Sequence, residues 1–127
     1  MNYIGLPWKA GAAGPEAFDC WGLVRHWYRT KLGVELPEQL VDAADVLAVA
    51  RKAKAEQATD KWMELDDEET DCIVALGKNA SITHVGVYIG EDYVLHACRA
   101  TGKCIAQPMG QIRRNWSTVK YYKPQTS

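Results

Sequence analysis

The chain holds four cysteines and three histidines, and one cysteine stands out by position. Cys20 lies in the run Asp19-Cys20-Trp21-Gly22-Leu23-Val24. Asp19 suits a helix N-cap, because its carboxylate can accept the free backbone N–H groups of a first turn. Cys20 is then the first helical residue, where the positive end of the helix dipole favours a thiolate. Helix-start cysteines can titrate well below the roughly 8.5 of a free thiol. Cys20 is therefore a nucleophile candidate, set against the ordinary alternative of a structural core thiol.

A nucleophilic thiol needs a base. His84 opens His84-Val85-Gly86-Val87-Tyr88-Ile89-Gly90, and His96 closes Tyr93-Val94-Leu95-His96. Both runs read as strands joined by a Gly90-Glu91-Asp92 turn. Residues directly opposite in an antiparallel pair share a face. Any unbulged register whose paired residue numbers have an even sum therefore turns His84 and His96 to the same side. A sum of 180 sets them opposite one another, and a sum of 182 sets them diagonally. Either arrangement fits a base held in place by a second polar ring. His26 falls mid-helix, off the apolar stripe, and reads as a surface or boundary residue. The sulfur and the two imidazoles are expected to meet at one solvent-reachable cleft.

The elements that must position these groups follow from the spacing of apolar residues. From Cys20, apolar side chains recur at Leu23, Val24, Trp27, Tyr28 and Leu32, the stripe of a half-buried helix. Gly33 suits the left-handed residue that ends it, and Gly14-Pro15 marks the loop that enters it. Leu36-Pro37 closes this section, and a second helix is expected from Asp42-Ala43-Ala44-Asp45 to about Ala58. Trp62-Met63-Glu64-Leu65 reads as a short strand or turn. The acids Glu64, Asp66, Asp67, Glu68, Glu69 and Asp71 read as a solvated loop rather than a metal site, because consecutive loop acids rarely converge on one ion. Cys72-Ile73-Val74-Ala75-Leu76 is an apolar run suited to a buried strand. Ala100-Thr101-Gly102 reads as a three-residue hairpin loop. Pairing Arg99 with Lys103 would bring Cys98 opposite Cys104, close enough for a disulfide, although a cytoplasmic chain is expected to keep both thiols reduced. A short helix or irregular stretch over 108–115 and a last strand over 117–122 complete the chain.

Taken together, Phe18-Asp19-Cys20-Trp21-Gly22-Leu23-Val24, His84-Val85-Gly86-Val87-Tyr88-Ile89-Gly90 and a second histidine twelve residues after the first resemble the NlpC/P60 cysteine peptidases. The resemblance is to their phage and prophage tail branch, and it spans Tyr3 to about Lys123. It implies a papain-like α+β fold in which the Cys-bearing helix packs on an antiparallel sheet that supplies both histidines, with residues 1–127 forming one domain. It also implies cleavage of peptide bonds in bacterial cell-wall stems, with Cys20 as nucleophile, His84 as general base, His96 as the residue that orients it, and no cofactor. Asp19, Trp21 and Trp8 become candidates for the oxyanion site or the cleft lining. The family often carries a Pro-Tyr pair where this chain has Pro7-Trp8, and a Gly-Asp pair where it has Thr70-Asp71. Many cell-wall members carry Ser where this chain has Trp21. These departures bear on substrate identity.

With 127 residues and 47% hydrophobic content, the chain is long enough to bury roughly two thirds of its unfolded surface. A net charge of −1 offers no basic field for nucleic acid. No apolar run reaches a membrane span or a signal peptide, so synthesis in the cytoplasm and travel in a phage tail are expected. Peptidoglycan stem peptides and other tail proteins are the partners implied. Three other readings stay open beside the peptidase: a non-catalytic tail-tip assembly protein, a papain-like amidase or acyltransferase, and a zinc site at Cys20, His84, His96 and Cys98. The last lacks the short paired spacings of common zinc modules.

Overall fold

Asp19 starts the first helix, α1 (Cys20–Trp27), by accepting from Gly22 N–H at 2.6 Å through Oδ1. Its Oδ2 accepts from Gly11 N–H at 3.0 Å, and its own N–H donates to Ala12 O at 2.9 Å. One carboxylate thus ties the entering loop to the helix start. Gly22 allows the close approach, since a Cβ there would lie 2.1 Å from Ala12 O. The computed structural model describes residues 2–36, 62–78 and 81–124. The helix expected over 42–58 lies outside the described residues.

After Trp27 the helix widens into a π-helical turn over Tyr28–Leu32 and ends at Gly33 with φ of 67°. The Val34 N–H donates to Tyr28 O and the Gly33 N–H to Arg29 O, so the exit is made as the glycine suggested. The wider turn changes the phase of the apolar stripe. Leu32, expected on the buried face, is 42% exposed, whereas Tyr28 is buried.

Among the described residues six antiparallel strands form one sheet: β1 (Trp62–Leu65), β2 (Ile73–Lys78), β3 (Ser81–Gly90), β4 (Tyr93–Cys98), β5 (Lys103–Pro108) and β6 (Thr118–Pro124), in the order β1-β6-β2-β3-β4-β5. A short helix, α2 (Met109–Asn115), joins β5 to β6. This is the expected α+β arrangement. No helix among the described residues is long and apolar enough to cross a membrane.

Alternation along the strands divides the core in two. Ile73, Ala75, Val85 and Val87 pack with Cys20, Trp21, Val24 and Tyr28 on the α1 side. Val74, Leu76, Val94 and Tyr121 pack with Met109 and Ile112 on the α2 side. A third cluster, Tyr3, Phe18, Leu23, Leu95, Ala97 and Cys104, extends the α1 side under the N-terminal loop. Asp71 fastens helix to sheet. It accepts from Trp27 Nε1 at 2.9 Å, its carbonyl accepts from the Tyr28 hydroxyl, and its N–H donates to Tyr88 O.

The last hairpin departs from expectation by one residue. Cys98 pairs with Lys103 and Ala97 with Cys104, so the loop is Arg99-Ala100-Thr101-Gly102. Gly102, at φ of 76°, donates its N–H to Cys98 O and Arg99 O and closes this longer turn. The shift turns Cys98 and Cys104 to opposite faces, and all four cysteines are free thiols.

Candidate active site

Strand β3 pairs with β4 through Val87↔Leu95 and Tyr88↔Val94, the register whose residue numbers sum to 182. His84 and His96 therefore lie diagonally on one face, as the parity argument requires. Gly86, between them, makes the diagonal short, since a Cβ there would lie 2.9 Å from Leu95 O and 3.0 Å from His96 Cβ. His84 Nε2 lies 2.8 Å from His96 Nδ1, and the rings meet edge to face. Continuing the chain, His96 Nε2 lies 2.8 Å from Oε1 of Gln107, on the neighbouring strand β5. Trp116 covers the other side of the first ring, nearly parallel to His84 with centroids 5.5 Å apart. Lys78 Nζ sits over the Trp116 ring.

Burial sets the charge of this pair. His96 is 2% exposed and His84 9%. Desolvation drives the His84 pKa far below the ordinary imidazole value, and a charge on His96 would push it lower still. His96 is also lowered by burial, against the hydrogen bond to Gln107, which raises it. Both rings are held neutral at physiological pH.

The sulfur and the rings belong to opposite faces of the sheet, against the expectation that they meet at one solvent-reachable cleft. His84 pairs with Leu76 and so shares the α2 face, whereas α1 packs on the other face. The β3–β4 ladder ends at Val87↔Leu95, and the next hydrogen-bonded rung, Val85 with Ala97, is missing. The Val85 N–H is hydrogen-bonded to the Cys20 sulfur instead. The backbone N–H groups of Cys20 and Trp21 favour the thiolate as well. Thus the thiol of the first long helix contacts the backbone of the residue that follows His84.

The ionisation expected of Cys20 is reversed. The helix start should have lowered its pKa and exposed it to a cleft, but the side chain is 2% exposed among apolar neighbours. Burial, followed by the charge of Asp19, pushes the thiol up to about 12, and the three backbone N–H groups only partly oppose this. Desolvation exceeds the influence of the helix terminus here, and the cap that creates the terminus adds to the rise by placing a carboxylate beside the sulfur.

The remaining candidates occupy distinct places. Asp19 is buried, with both oxygens accepting backbone N–H groups, so it anchors the helix start. Trp21 is buried on the α1 side next to the thiol. Trp8 forms an isolated β-bridge with Phe18 in the loop that leads to Cys20, and its ring lies under the Arg99 guanidinium. His26 lies at the boundary as expected, its Nδ1 bonded to the Tyr3 hydroxyl at 2.8 Å. Gln107 and Trp116 were not singled out from the sequence. Strand alternation could have placed Gln107 on the face of His96, but only after the β4–β5 register was known; no local signal marked Trp116. An open groove of about 390 Å³ lies where β1 meets β6, lined by Glu64, Leu65, Asp66, Ser117, Thr118 and Val119 among others, and none of Cys20, His84 and His96 lines it. Val119 and His84 flank Leu76 from its two neighbouring strands.

Known proteins share this fold. The fold matches that of NlpC2 from Trichomonas vaginalis with a TM-score of 0.69 at 18% identity, over 96% of this chain and 42% of that one. In sequence the chain is 34% identical over 98 residues to a protein of Corynebacterium glutamicum named a probable endopeptidase, covering 77% of this chain and 39% of the relative. It is 26% identical over 105 residues to the murein DD-endopeptidase/murein LD-carboxypeptidase MepS of Escherichia coli K12, covering 83% of this chain and 49% of the relative. The chain thus spans less than half the length of these curated relatives. The model of the NlpC/P60 family matches residues 5–121, which take in the helix bearing Cys20 and both histidine strands, and the chain belongs to that family.

Proposed function

We propose that this chain is a cysteine peptidase that cleaves peptidoglycan stem peptides, with Cys20 as nucleophile, His84 as general base and His96 as the residue that orients His84. The observation that carries the reading is the junction at Val85. Its N–H bonds to the Cys20 sulfur, and the residue before it begins the hydrogen-bonded chain His84–His96–Gln107. The names of the Corynebacterium and Escherichia relatives, both endopeptidases, support the reaction class.

In this mechanism His84 takes the thiol proton as sulfur attacks the scissile carbonyl carbon. The Cys20 N–H at the helix start donates to the oxyanion, and the imidazolium then protonates the leaving amine. Water hydrolyses the thioester, returning the proton to sulfur. Residues 1–127 act as one such domain. A setting in a phage tail, with other tail proteins as partners, rests on the resemblance of the Asp19-Cys20-Trp21-Gly22-Leu23-Val24 motif to the tail branch.

The test is release of stem-peptide fragments from purified muropeptides. Cys20→Ala, which keeps the fold, should lower kcat/KM by about 10³-fold or more, and undiminished cleavage would overturn the assignment. The 2% exposure of Cys20 favours a second reading, a non-catalytic tail-tip assembly protein that keeps the fold. Absence of cleavage by the wild-type protein, with assembly intact in Cys20→Ala, would select it. An amidase or acyltransferase would share the thioester and differ in releasing ammonia or a transpeptidated product.

A further inference from the structure

We infer that Gln107 is a positioning residue that fixes the tautomers of both histidines and so leaves His84 Nδ1 as the unprotonated base. This inference rests on the peptidase reading for its consequence, but its geometry stands alone. The contact between the rings joins His84 Nε2 to His96 Nδ1. With both rings neutral, one of these nitrogens donates and the other accepts. The pair is symmetric in this respect, so nothing within it decides which ring carries the shared proton.

Gln107 removes the symmetry. Its Oε1, 2.8 Å from His96 Nε2, is an acceptor only, so His96 must carry its proton on Nε2. His96 Nδ1 is then bare and accepts from His84 Nε2–H. His84, its one proton spent on that bond, is bare at Nδ1 and can take a proton from the thiol. When it does so, the imidazolium keeps its Nε2–H bond to His96 Nδ1, and the Nε2–H of His96 keeps its bond to the amide. No proton leaves the relay. The reverse polarity would put the proton on His84 Nδ1 and leave no base. Three strands contribute one member each: His84 from β3, His96 from β4 and Gln107 from β5. The β4–β5 register, in which Gln107 pairs with Val94, sets the amide on the face of the rings.

The experiment is long-range ¹H–¹⁵N correlation of the imidazoles in the wild-type protein and in Gln107→Leu and Gln107→Glu, alongside kcat and KM against pH. Wild type should show the Nε2–H tautomer at both His84 and His96. Gln107→Leu, which removes the acceptor, should populate the Nδ1–H form of His84 and lower kcat by about tenfold or more with KM little changed. Gln107→Glu keeps an acceptor and adds a negative charge, so it should retain the tautomers and move the acid limb of kcat to higher pH. A wild-type Nδ1–H tautomer at His84, or tautomers unchanged in Gln107→Leu, would overturn the inference. Cleavage undiminished in Cys20→Ala would overturn the peptidase reading instead, and the nitrogen spectra would still decide the role of Gln107.

Discussion

Alkylation of Cys20 as a function of pH tests the resting charge state directly. The thiol is pushed up to about 12 and His84 is held neutral, so the resting site holds a thiol and an imidazole rather than a thiolate–imidazolium pair. Near pH 7.5, a rise of about 3.5 pK units above a free thiol reduces the thiolate fraction about 3,000-fold. The more basic thiolate is intrinsically more nucleophilic. With a Brønsted coefficient of about 0.45, that recovers about 40-fold. The balance is labelling roughly a hundredfold slower than a denatured-chain thiol, before any steric hindrance, and rising about tenfold per pH unit. The assay is iodoacetamide labelling read by mass spectrometry of the peptide containing Cys20, because half-buried Cys98 will label independently. Cys72 and Cys104, each raised by burial to about 11, serve as internal buried references. A rate constant for Cys20 that is flat between about pH 5 and 8 and equals or exceeds that of a free thiol would show a preformed ion pair and refute this reasoning.

Gly86→Ala should act on the histidine pair: its Cβ would meet Leu95 O at 2.9 Å and His96 Cβ at 3.0 Å, so β4 must move away. The expected cost is about 1–3 kcal/mol in urea unfolding, with loss of the inter-ring hydrogen bond in the imidazole spectra, and an unchanged spectrum would contradict the packing argument. Acid should destabilise the fold. Both histidines have folded pKa values below the unfolded value, so the unfolded chain binds more protons once the pH falls below about 6.5. Stability is complete above that pH and declines below it by up to about 1.4 kcal/mol per pH unit for each histidine. Urea midpoints at pH 7.5 and 5 measure this, and a difference that persists unchanged in His84→Asn/His96→Asn would assign it to other groups.

What could be read from residue order was whatever depends on local periodicity. The strand alternation of 84–96 made the two rings neighbours in any even register, and the observed sum of 182 is one of the two arrangements considered. Asp19 announced the helix start because capping involves residues three apart, and Gly33 its end. Features set by contacts between distant segments were not legible. The π-helical turn that exposes Leu32 accompanies the grip of Asp71 on Trp27 and Tyr28, more than forty residues away. The one-residue shift that parts Cys98 from Cys104 depends on the Gly102 turn. Gln107 entered the site through a strand pairing with no sequence marker, and the acidity of Cys20 could not be judged before its burial was known.

That burial also constrains how the chemistry must run. Among the described residues no cationic side chain contributes to stabilising the Cys20 thiolate, and the one full charge that acts on it, that of Asp19, opposes ionisation. What favours sulfur as an anion is a set of backbone dipoles, the N–H groups of Cys20, Trp21 and Val85. On the inferred tautomers, a cationic His84 would keep its Nε2–H bond to a neutral His96 and, behind it, Gln107. Such dipoles are fixed in place by the helix start and the sheet, so they act on charge as it develops without reorganising. They do not suffice to separate charge at rest against the desolvation of both partners. In the proposed mechanism, proton transfer from sulfur to His84 therefore accompanies attack on the carbonyl, with charge passing on to the substrate oxygen as it forms. The rate should then follow the neutral fraction of His84 on the acid side, with no plateau set by a thiolate. A dipolar site of this kind depends on the positions of Val85, whose N–H faces the sulfur, and Gly86, across which the rings join.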